Sequence, residues 1–456
     1  MTAFMKTIQL PACGLILLSF LLARPVVARA VQEPDADVAR RAETFVDLLA
    51  SGRFDEAFET FDEKMRGALP VANLRAAWTS TTQAAGAFDR RISARAETRG
   101  AFRIGVVTCA FARANVDVQL VLNAEGQVSG FSMRPATSGV VSGPPSYARP
   151  EAYTEQEVTA GAAGWPLPGV LTVPVGDGPF PAVILVHGSG PQDRDGSVGP
   201  NKVFRDIAVG LATNGVAVLR YEKRSREHAK RLNENVRITV REEVIDDVLA
   251  GAALLRGSPR IDPVRVFVIG HSLGGMLAPR ILDADPTLAG AVVLAGAVRP
   301  IERSIIEQTR YLLVADGQLT DDERDQLMAA ERLAASVRAL TPADVGKPES
   351  IGGAPASYWL DLRGYDPPVL ASRLASPFLI LQGERDYQVT MADFARWRAA
   401  LESRANVTLT SYPALNHMFM AGTGPSLPSE YLAPGHVDAQ VVNDIARWIT
   451  TTSRQP

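Results

Sequence analysis

One serine stands in the sequence context that most often marks a nucleophile. Residues 270–275 read Gly-His-Ser-Leu-Gly-Gly, with Ser272 between the apolar run 264–269 and residues 276–282, which can start a helix. In a G-x-S-x-G turn between a strand and a helix, the glycines permit a strained backbone that holds the serine hydroxyl at the carboxyl edge of a sheet. A third glycine, Gly275, would let the helix and the strand approach closely. We therefore predict that Ser272 is a catalytic nucleophile; the alternative is a helix-capping serine.

An attacking serine needs a base to take its proton, and a third group must orient that base. The chain offers five histidines. His417 follows the strand-like run 407–412, where a loop at the carboxyl edge would place it over the sheet, so we predict it as the base. His436 is the alternative, and otherwise a residue that caps the last helix. The other three are set aside by position: His271 should point away along the turn, His187 belongs to another loop and His228 lies in a charged stretch.

The orienting acid should lie between the serine and the histidine in the sequence, at the end of another strand. The run 378–381 is such a strand, and Gln382-Gly383-Glu384-Arg385-Asp386 leaves its carboxyl end. We predict Asp386 as the acid. Glu384 is closer to the strand and is the alternative, whereas Asp393 is expected to belong to the next helix.

Acyl transfer at a serine also requires hydrogen-bond donors for the developing oxyanion. We predict two backbone N–H groups in this role, that of Leu273, directly after the nucleophile, and that of Ser189. Ser189 lies in the loop His187-Gly188-Ser189-Gly190 after the apolar run 183–186, and Gly188 is the alternative donor. Loss of one such donor typically raises the activation barrier by about 3 kcal/mol.

The composition is that of an ordinary globular protein. The chain has 456 residues, of which 46% are hydrophobic and 21% charged, and its net charge is −3. This length suits two or three domains. The basic stretch Lys223-Arg224-Ser225-Arg226 is interrupted by Glu222 and Glu227. We therefore expect a solvated loop there, and no nucleic-acid partner.

The first thirty residues have the pattern of a signal peptide. Lys6 supplies a positive charge, residues 15–22 form a short apolar run, and Ala28-Arg29-Ala30 fits a cleavage site. The run is too short to span a bilayer. We predict an exported protein, periplasmic or secreted, that starts near Val31 and has no membrane span after cleavage. It would keep one cysteine, Cys109, which we interpret as a buried structural thiol.

The mature chain divides into two domains joined by a linker. Residues 31–135 predict a small α+β domain: apolar residues recur at helical spacing over 35–85, in three helices, and then alternate with a period of two up to 135. Glu125-Gly126 predicts the turn of a hairpin. Residues 136–150 are rich in Gly, Ser and Pro and predict a linker. No motif with catalytic chemistry is recognisable in the small domain.

Residues 151–456 predict an α/β domain. The candidate strands are 169–173, 182–186, 216–219, 264–269, 291–294, 378–381 and 407–412. Helical stretches separate most of them, which is typical of a mostly parallel sheet covered on both faces. The interval of about 300–365 breaks this rhythm and contains helix-like runs at 301–313 and 321–340. We predict a cap over the carboxyl edge; the alternative is an insertion packed elsewhere.

These motifs together resemble the α/β-hydrolase family. Within it, residues 150–456 are similar to the exported two-domain carboxylesterases of the EstD type and their serine-peptidase-like relatives. The segments that carry the resemblance are 187–195, 201–208 and 219–224, besides the serine turn. The resemblance implies a triad of Ser272, Asp386 and His417, the same residues chosen above. The N-terminal region resembles a small domain of unassigned function that precedes such hydrolases.

The predicted function is a serine carboxylesterase that hydrolyses short- to medium-chain esters of small molecules through an acyl-enzyme. A serine peptidase, of the aminopeptidase or prolyl-oligopeptidase-like kind, would use the same triad and is the alternative. A further alternative concerns residues 31–135, which would act as an interaction or binding module, through a partner or as a homo-oligomer.

No cofactor or metal is predicted. Asp193 and Asp195 alternate as calcium ligands can, but no calcium-binding loop follows them. We expect salt bridges from these carboxylates to Arg220 or Arg224 instead.

Overall fold

The computed structural model describes residues 35–99, 102–112, 115–136, 143–314 and 320–452. The predicted signal peptide, residues 1–30, lies outside them, and so do Cys13 and Val31. Of the predicted linker, residues 137–142 also lie outside the described residues.

The N-terminal domain places four helices on a four-stranded antiparallel sheet. The helices are α1 (Asp35–Ala50), α2 (Phe54–Glu59), α3 (Glu63–Ala68) and α4 (Val71–Ala85). The strands, in their order across the sheet, are β1 (Phe88–Arg99), β2 (Phe102–Phe111), β3 (Asn115–Leu122) and β4 (Val128–Pro135). The prediction of three helices was wrong by one. Leu69 leaves the helical region, with φ −132° and ψ 82°, because it precedes Pro70.

The core of this domain lies between the helices and one face of the sheet. Phe45, Leu49, Val107 and Leu120 are buried in it. Cys109 is buried in the same core, which confirms a structural thiol. Burial, followed by the negative charge of Asp117, raises the pKa of Cys109 to about 12, so the thiol stays protonated at neutral pH.

The second domain is built on an eight-stranded sheet. Its strands are β5 (Tyr153–Ala160), β6 (Leu167–Pro174), β7 (Phe180–Val186), β10 (Ala217–Tyr221), β11 (Ile261–His271), β12 (Ala291–Leu294), β15 (Phe378–Gly383) and β16 (Val407–Tyr412). They lie in the order β16-β15-β12-β11-β7-β10-β6-β5. The six strands from β16 to β10 are parallel, and β6 and β5 are antiparallel. The mostly parallel sheet confirms the predicted fold class, and β5 is a strand that the sequence analysis missed.

Both faces of this sheet are buried, as its continuous apolar strands predict. In β7, Ile184 and Val186 face one hydrophobic cluster, whereas Val183 and Leu185 face the other. The helices outside the insertion are α5 (Val203–Thr213), α6 (Arg224–Glu227), α7 (Ala229–Asn233), α8 (Asp246–Arg256), α9 (Leu273–Ala284), α14 (Met391–Leu401) and α15 (Ala439–Thr451). A π-helical turn, Arg241–Ile245, leads into α8. A two-residue hairpin, β8 (Ser197–Val198) and β9 (Asn201–Lys202), precedes α5.

The insertion between β12 and β15 begins at the carboxyl edge of the sheet, where β12 ends. It comprises α10 (Ile301–Leu313), α11 (Asp321–Ala339), the hairpin β13 (Ser350–Ile351) and β14 (Ala354–Pro355), α12 (Ala356–Leu362) and α13 (Pro367–Arg373). The Tyr311 ring on α10 stacks on Tyr387, with ring centroids 5.0 Å apart. Gln308 donates to the carbonyl of Gln388 at 3.1 Å. Helix α10 therefore contacts the loop that carries Asp386.

The two domains also touch near this edge. Leu432, in the turn Pro428–Leu432, packs against the core of the N-terminal domain. Before the second domain begins, the Tyr147 hydroxyl donates to the carbonyl of Val437 at 2.9 Å. Among the helices of the described residues, none combines the length and the apolar character needed to cross a membrane.

Candidate active site

The serine turn has the backbone that a nucleophile elbow requires. Ser272 lies between β11 and α9 with φ 55° and ψ −114°. A non-glycine residue at positive φ costs about 1–3 kcal/mol and persists only where its surroundings impose it. Here the Ser272 N–H donates to the carbonyl of Leu294 at 2.9 Å, which holds the turn against the end of β12.

Two glycines of the motif are required by close backbone contacts. A Cβ on Gly274 would lie 2.3 Å from the carbonyl oxygen of Val186. A Cβ on Gly275 would lie 2.9 Å from the Cα of Gly296, so the predicted close approach of helix and strand is confirmed. Any side chain at either position would push α9 away from the sheet and displace Ser272.

His417 and Asp386, predicted from loops about thirty residues apart, are brought into direct contact. His417 Nδ1 lies 2.6 Å from Asp386 Oδ2, and the side chains are 4% and 0% exposed. The other carboxylate oxygen accepts the backbone N–H groups of Gln388 and Val389 at 2.8 and 3.0 Å. Gln382 donates to Oδ2 at 3.3 Å. This arrangement fixes the carboxylate and leaves His417 Nε2 free to take a proton.

The Ser272 hydroxyl makes no hydrogen bond to His417 among the described residues. Contacts of this kind are often long in a free enzyme and shorten when a substrate binds. The two residues are nevertheless linked through His271, the neighbour of Ser272. The ring centroids of His271 and His417 are 4.6 Å apart.

The expectation that His271 points away from the site was wrong. Its Nε2 lies 2.9 Å from the carbonyl oxygen of His417, and because a carbonyl only accepts, Nε2 carries the proton. Burial, followed by the nearby charge of His417, lowers the pKa of His271 to about 3. His271 is therefore a neutral donor that holds the His417 backbone. The sequence does carry a signal for this contact, because His271 ends an apolar strand directly before the predicted nucleophile.

The alternatives to the predicted acid and base lie elsewhere. Glu384 is exposed and accepts a hydrogen bond from Ser411. Asp393 belongs to α14, as predicted, and is paired with Arg299. His436 does not cap the last helix, because Asp438 is the capping residue of α15; His436 instead lies 3.0 Å from Asp206.

The loop after β7 lies beside the serine. A Cβ on Gly188 would be 3.2 Å from the Cβ of Ser272, so the loop lies directly against this serine. His187 Nε2 donates to the carbonyl of Asp193 at 3.1 Å. Burial, followed by the charge of Lys223, lowers the pKa of His187 to about 3, so this histidine is also neutral. The predicted donor residue Ser189 is exposed, and Leu273 is buried as the first residue of α9.

The prediction of a solvated loop at Lys223 and Arg224 was wrong. Both side chains belong to residues that are only 2% exposed. Lys223 pairs with Glu243 at 3.0 Å, and Arg224 pairs with Asp247. Each cation finds its carboxylate about twenty residues further along the chain, which a local charge pattern does not reveal. Lys223 also donates to the carbonyls of Gly188 and Gly190, at 2.9 and 3.1 Å.

The carboxylates of Asp193 and Asp195 take part in local structure. Asp195 accepts from Arg220 at 2.8 Å, which confirms the predicted salt bridge, whereas Arg224 does not take part in it. Asp193 accepts the backbone N–H of Ser197 at 2.9 Å. In the part of the chain that the structure describes, no group of three or more His, Cys, Asp or Glu side chains is placed to hold a metal ion.

Comparison with known proteins agrees with this architecture. Residues 183–426 match the alpha/beta hydrolase family, and residues 42–131 match a family described as a protein of unknown function (DUF3887). The chain belongs to the α/β-hydrolase family. Esterase EstD of Thermotoga maritima is 37% identical to it over 405 residues, which cover 89% of this chain and 93% of that protein.

Two solved structures are similar to part of this chain. An esterase of Pyrobaculum calidifontis is 17% identical, with a TM-score of 0.44, over 66% of this chain and 87% of that one. A puromycin-hydrolyzing peptidase of Mycobacterium tuberculosis is 17% identical, with a TM-score of 0.42, over 78% of this chain and 47% of that one.

Proposed function

We propose that the chain is a serine carboxylesterase that hydrolyses short- to medium-chain esters of small molecules. The observation that carries the proposal is the buried His417–Asp386 hydrogen bond at 2.6 Å. It is supported by the positive φ of Ser272 and by the hydrogen bond from the adjoining His271 to the His417 carbonyl. The similarity to esterase EstD supports an ester as the substrate.

The chemistry proceeds in two halves. Ser272 Oγ attacks the ester carbonyl carbon while His417 Nε2 takes the hydroxyl proton, and Asp386 stabilises the imidazolium that forms. The backbone N–H groups of Ser189 and Leu273 donate to the oxyanion. The C–O bond to the alcohol then breaks, and His417 returns its proton to that alcohol. Water then attacks the acyl carbon while His417 takes one of its protons. The bond between the acyl carbon and Ser272 Oγ breaks, His417 returns the proton to Oγ, and the acid leaves.

Replacement of the nucleophile tests this proposal. Ser272→Ala should lower kcat on a short-chain aryl ester by at least about 10⁴-fold, because the covalent route is lost while binding remains. The control is a circular-dichroism melting curve that matches the wild-type curve. Full activity of a folded Ser272→Ala protein would refute the assignment.

A substrate panel separates the ester and peptide alternatives. We expect kcat/KM to be highest for aryl and alkyl esters with short or medium acyl chains. The matched comparison is an aminoacyl or prolyl-peptide amide with the same acyl group. A higher kcat/KM for the amide would make the chain a serine peptidase that uses the same residues.

The N-terminal domain is proposed to act as an interaction module, and the chain to be exported. Leu432 packs against the N-terminal core, which gives this domain a contact with the turn Pro428–Leu432 after His417. Light scattering of the full chain tests for a homo-oligomer, and removal of residues 31–135 tests whether ester turnover depends on the domain.

Recovery from the periplasm or medium of a protein that starts near Val31 would support export; retention of an uncleaved chain in the cytoplasm would contradict it.

A further inference from the structure

We infer that Lys223 is a positioning residue for the oxyanion hole, and that Glu243 and Tyr358 connect it to helix α12 of the insertion. The inference rests on the proposed ester hydrolysis at Ser272 and deepens it.

Lys223 has a complete set of partners. An ammonium group carries three protons, and three oxygen atoms lie within hydrogen-bond distance of Nζ. They are the carbonyl of Gly188 at 2.9 Å, the carbonyl of Gly190 at 3.1 Å and Oε1 of Glu243 at 3.0 Å. A buried ammonium group that donates all its protons is held in one orientation, so it also fixes the positions of the groups that accept its hydrogen bonds. Here it holds two carbonyls of the loop beside the serine.

Because the peptide group is planar, the hydrogen bond from Lys223 to the Gly188 carbonyl also orients the predicted oxyanion donor, the N–H of Ser189. In a trans peptide the C=O and the following N–H point in opposite directions. Because the Gly188 carbonyl points at Lys223, the N–H of Ser189 points away from it. Gly188 itself lies against Ser272, since its Cβ position is 3.2 Å from the serine Cβ. Lys223 therefore sets the direction of a donor that belongs to another residue.

Glu243 and Tyr358 extend the connection to the insertion. The Tyr358 hydroxyl donates to Glu243 Oε2 at 2.8 Å. The neighbouring Ser357 donates to the carbonyl of Ile238 at 2.7 Å, so α12 is attached at two points to the segment that leads into Glu243. Burial opposes ionisation of Glu243, but the charge and hydrogen bond of Lys223 outweigh it, and the pKa of the carboxyl is lowered. Glu243 is therefore ionised at neutral pH.

The adjacent pair, Arg224 and Asp247, provides a matched comparison. It is also buried, with side chains 2% and 1% exposed against 3% and 9% for Lys223 and Glu243. Its other contacts are the ring of Trp165, 4.7 Å from the guanidinium carbon, and the N–H of Ala162. None of the side-chain hydrogen bonds that the structure gives this pair reaches the loop 187–190 or Ser272. Loss of this pair removes a buried ion pair of the same kind without touching the loop beside the serine.

The experiment compares two double variants, so that neither leaves a buried charge alone. They are Lys223→Met with Glu243→Gln, and Arg224→Met with Asp247→Asn, each assayed for aryl-ester turnover and for inhibition by a trifluoromethyl ketone, which forms a tetrahedral oxyanion with a serine. The Lys223 variant should lower kcat by about 10–100-fold and raise the Ki of the ketone by a similar factor. If the variant only contained a smaller fraction of active protein, the measured kcat would fall but the Ki of the ketone would stay unchanged. The Arg224 variant should keep the wild-type Ki.

Tyr358→Phe tests the link to the insertion and decides the case if the Lys223 variant does not fold. Loss of one hydrogen bond should raise Ki by about threefold, with a wild-type melting temperature. A wild-type Ki in Tyr358→Phe and in any folded Lys223 variant would overturn the inference. If the wild-type protein itself neither turns over esters nor binds the ketone, the proposed function fails instead.

Discussion

The two sides of the candidate site are built by different means. On one side, His417 and Asp386 place functional side chains on the loops after β16 and β15, and they contact each other directly. On the other side, the loop after β7 provides backbone N–H groups. The buried side chain of Lys223, from a third loop, fixes this loop by donating to the carbonyls of Gly188 and Gly190. A substitution on the first side therefore removes a functional group directly. On the second side the functional groups belong to the backbone, so a substitution affects them only by changing the position of the backbone.

Each side also has a buried, neutral histidine behind it. His271 donates to the carbonyl of His417, and His187 donates to the carbonyl of Asp193 within the opposite loop. In both, burial lowers the pKa to about 3. Imidazole thus serves as a structural donor at His271 and His187, whereas at His417 it is proposed to carry protons.

The largest effects are expected on the side-chain side. Asp386→Asn should lower kcat by about 10⁴-fold, because an amide favours the wrong tautomer of His417. The matched control is Glu384→Gln, in the same loop but exposed and bonded to Ser411, which should keep wild-type turnover. Steady-state kinetics on one aryl ester measure both. If the Glu384 variant is the impaired one, the acid has been assigned to the wrong residue.

On the backbone side, the two substitutions at Ser189 should differ sharply. Ser189→Ala keeps the N–H and, since the side chain is exposed, should leave kcat close to wild type. Ser189→Pro removes the N–H and should lower kcat by about 10²–10³-fold. Equal kcat values for the two variants, both folded by circular dichroism, would mean that the oxyanion is held by a different donor.

A smaller effect is expected behind the base. His271→Gln should lower kcat by about tenfold, because the carbonyl of His417 loses its fixed donor. It should also change acid stability. The folded pKa of His271 is about 3, and the unfolded value is about 6.5, so only the unfolded chain takes up a proton between these values. The free energy of unfolding therefore falls as the pH drops through this range.

Removal of His271 should reduce that slope by about 1.4 kcal/mol per pH unit. Urea unfolding of the wild type and His271→Gln at pH 6 and pH 4 measures the difference. An unchanged slope would show that His271 is already protonated in the folded protein.

The sequence was informative where one residue type determines the chemistry. The serine turn, its glycines and the order Ser272, Asp386, His417 identified residues that the fold brings to one edge, because parallel strands end there. Strands with continuous apolar side chains were also predicted. Strand β5 was missed because it is an edge strand whose residues, such as Glu155 and Glu157, are largely exposed, so no apolar pattern marks it.

What the sequence hid was pairing over distance. Lys223 and Arg224 follow a strand in a run of mixed charges, a pattern typical of a solvated loop. Their burial depends on Glu243 and Asp247, which enter from the π-helical turn and α8. Likewise, the position of Tyr358 depends on how the insertion packs, and no local periodicity encodes that. Charged residues that directly follow a strand at the carboxyl edge can therefore be buried in ion pairs, even where the local charge pattern is typical of a solvated loop.

Covalent labelling of the nucleophile tests the central claim most directly. A p-nitrophenyl phosphonate reacts preferentially with an activated serine and leaves a stable adduct in place of the acyl group. Intact-mass and peptide measurements should find one phosphonyl group per chain, on the peptide that contains Ser272, with one equivalent of p-nitrophenolate released. A label on another residue, or undiminished labelling of Ser272→Ala, would contradict the account.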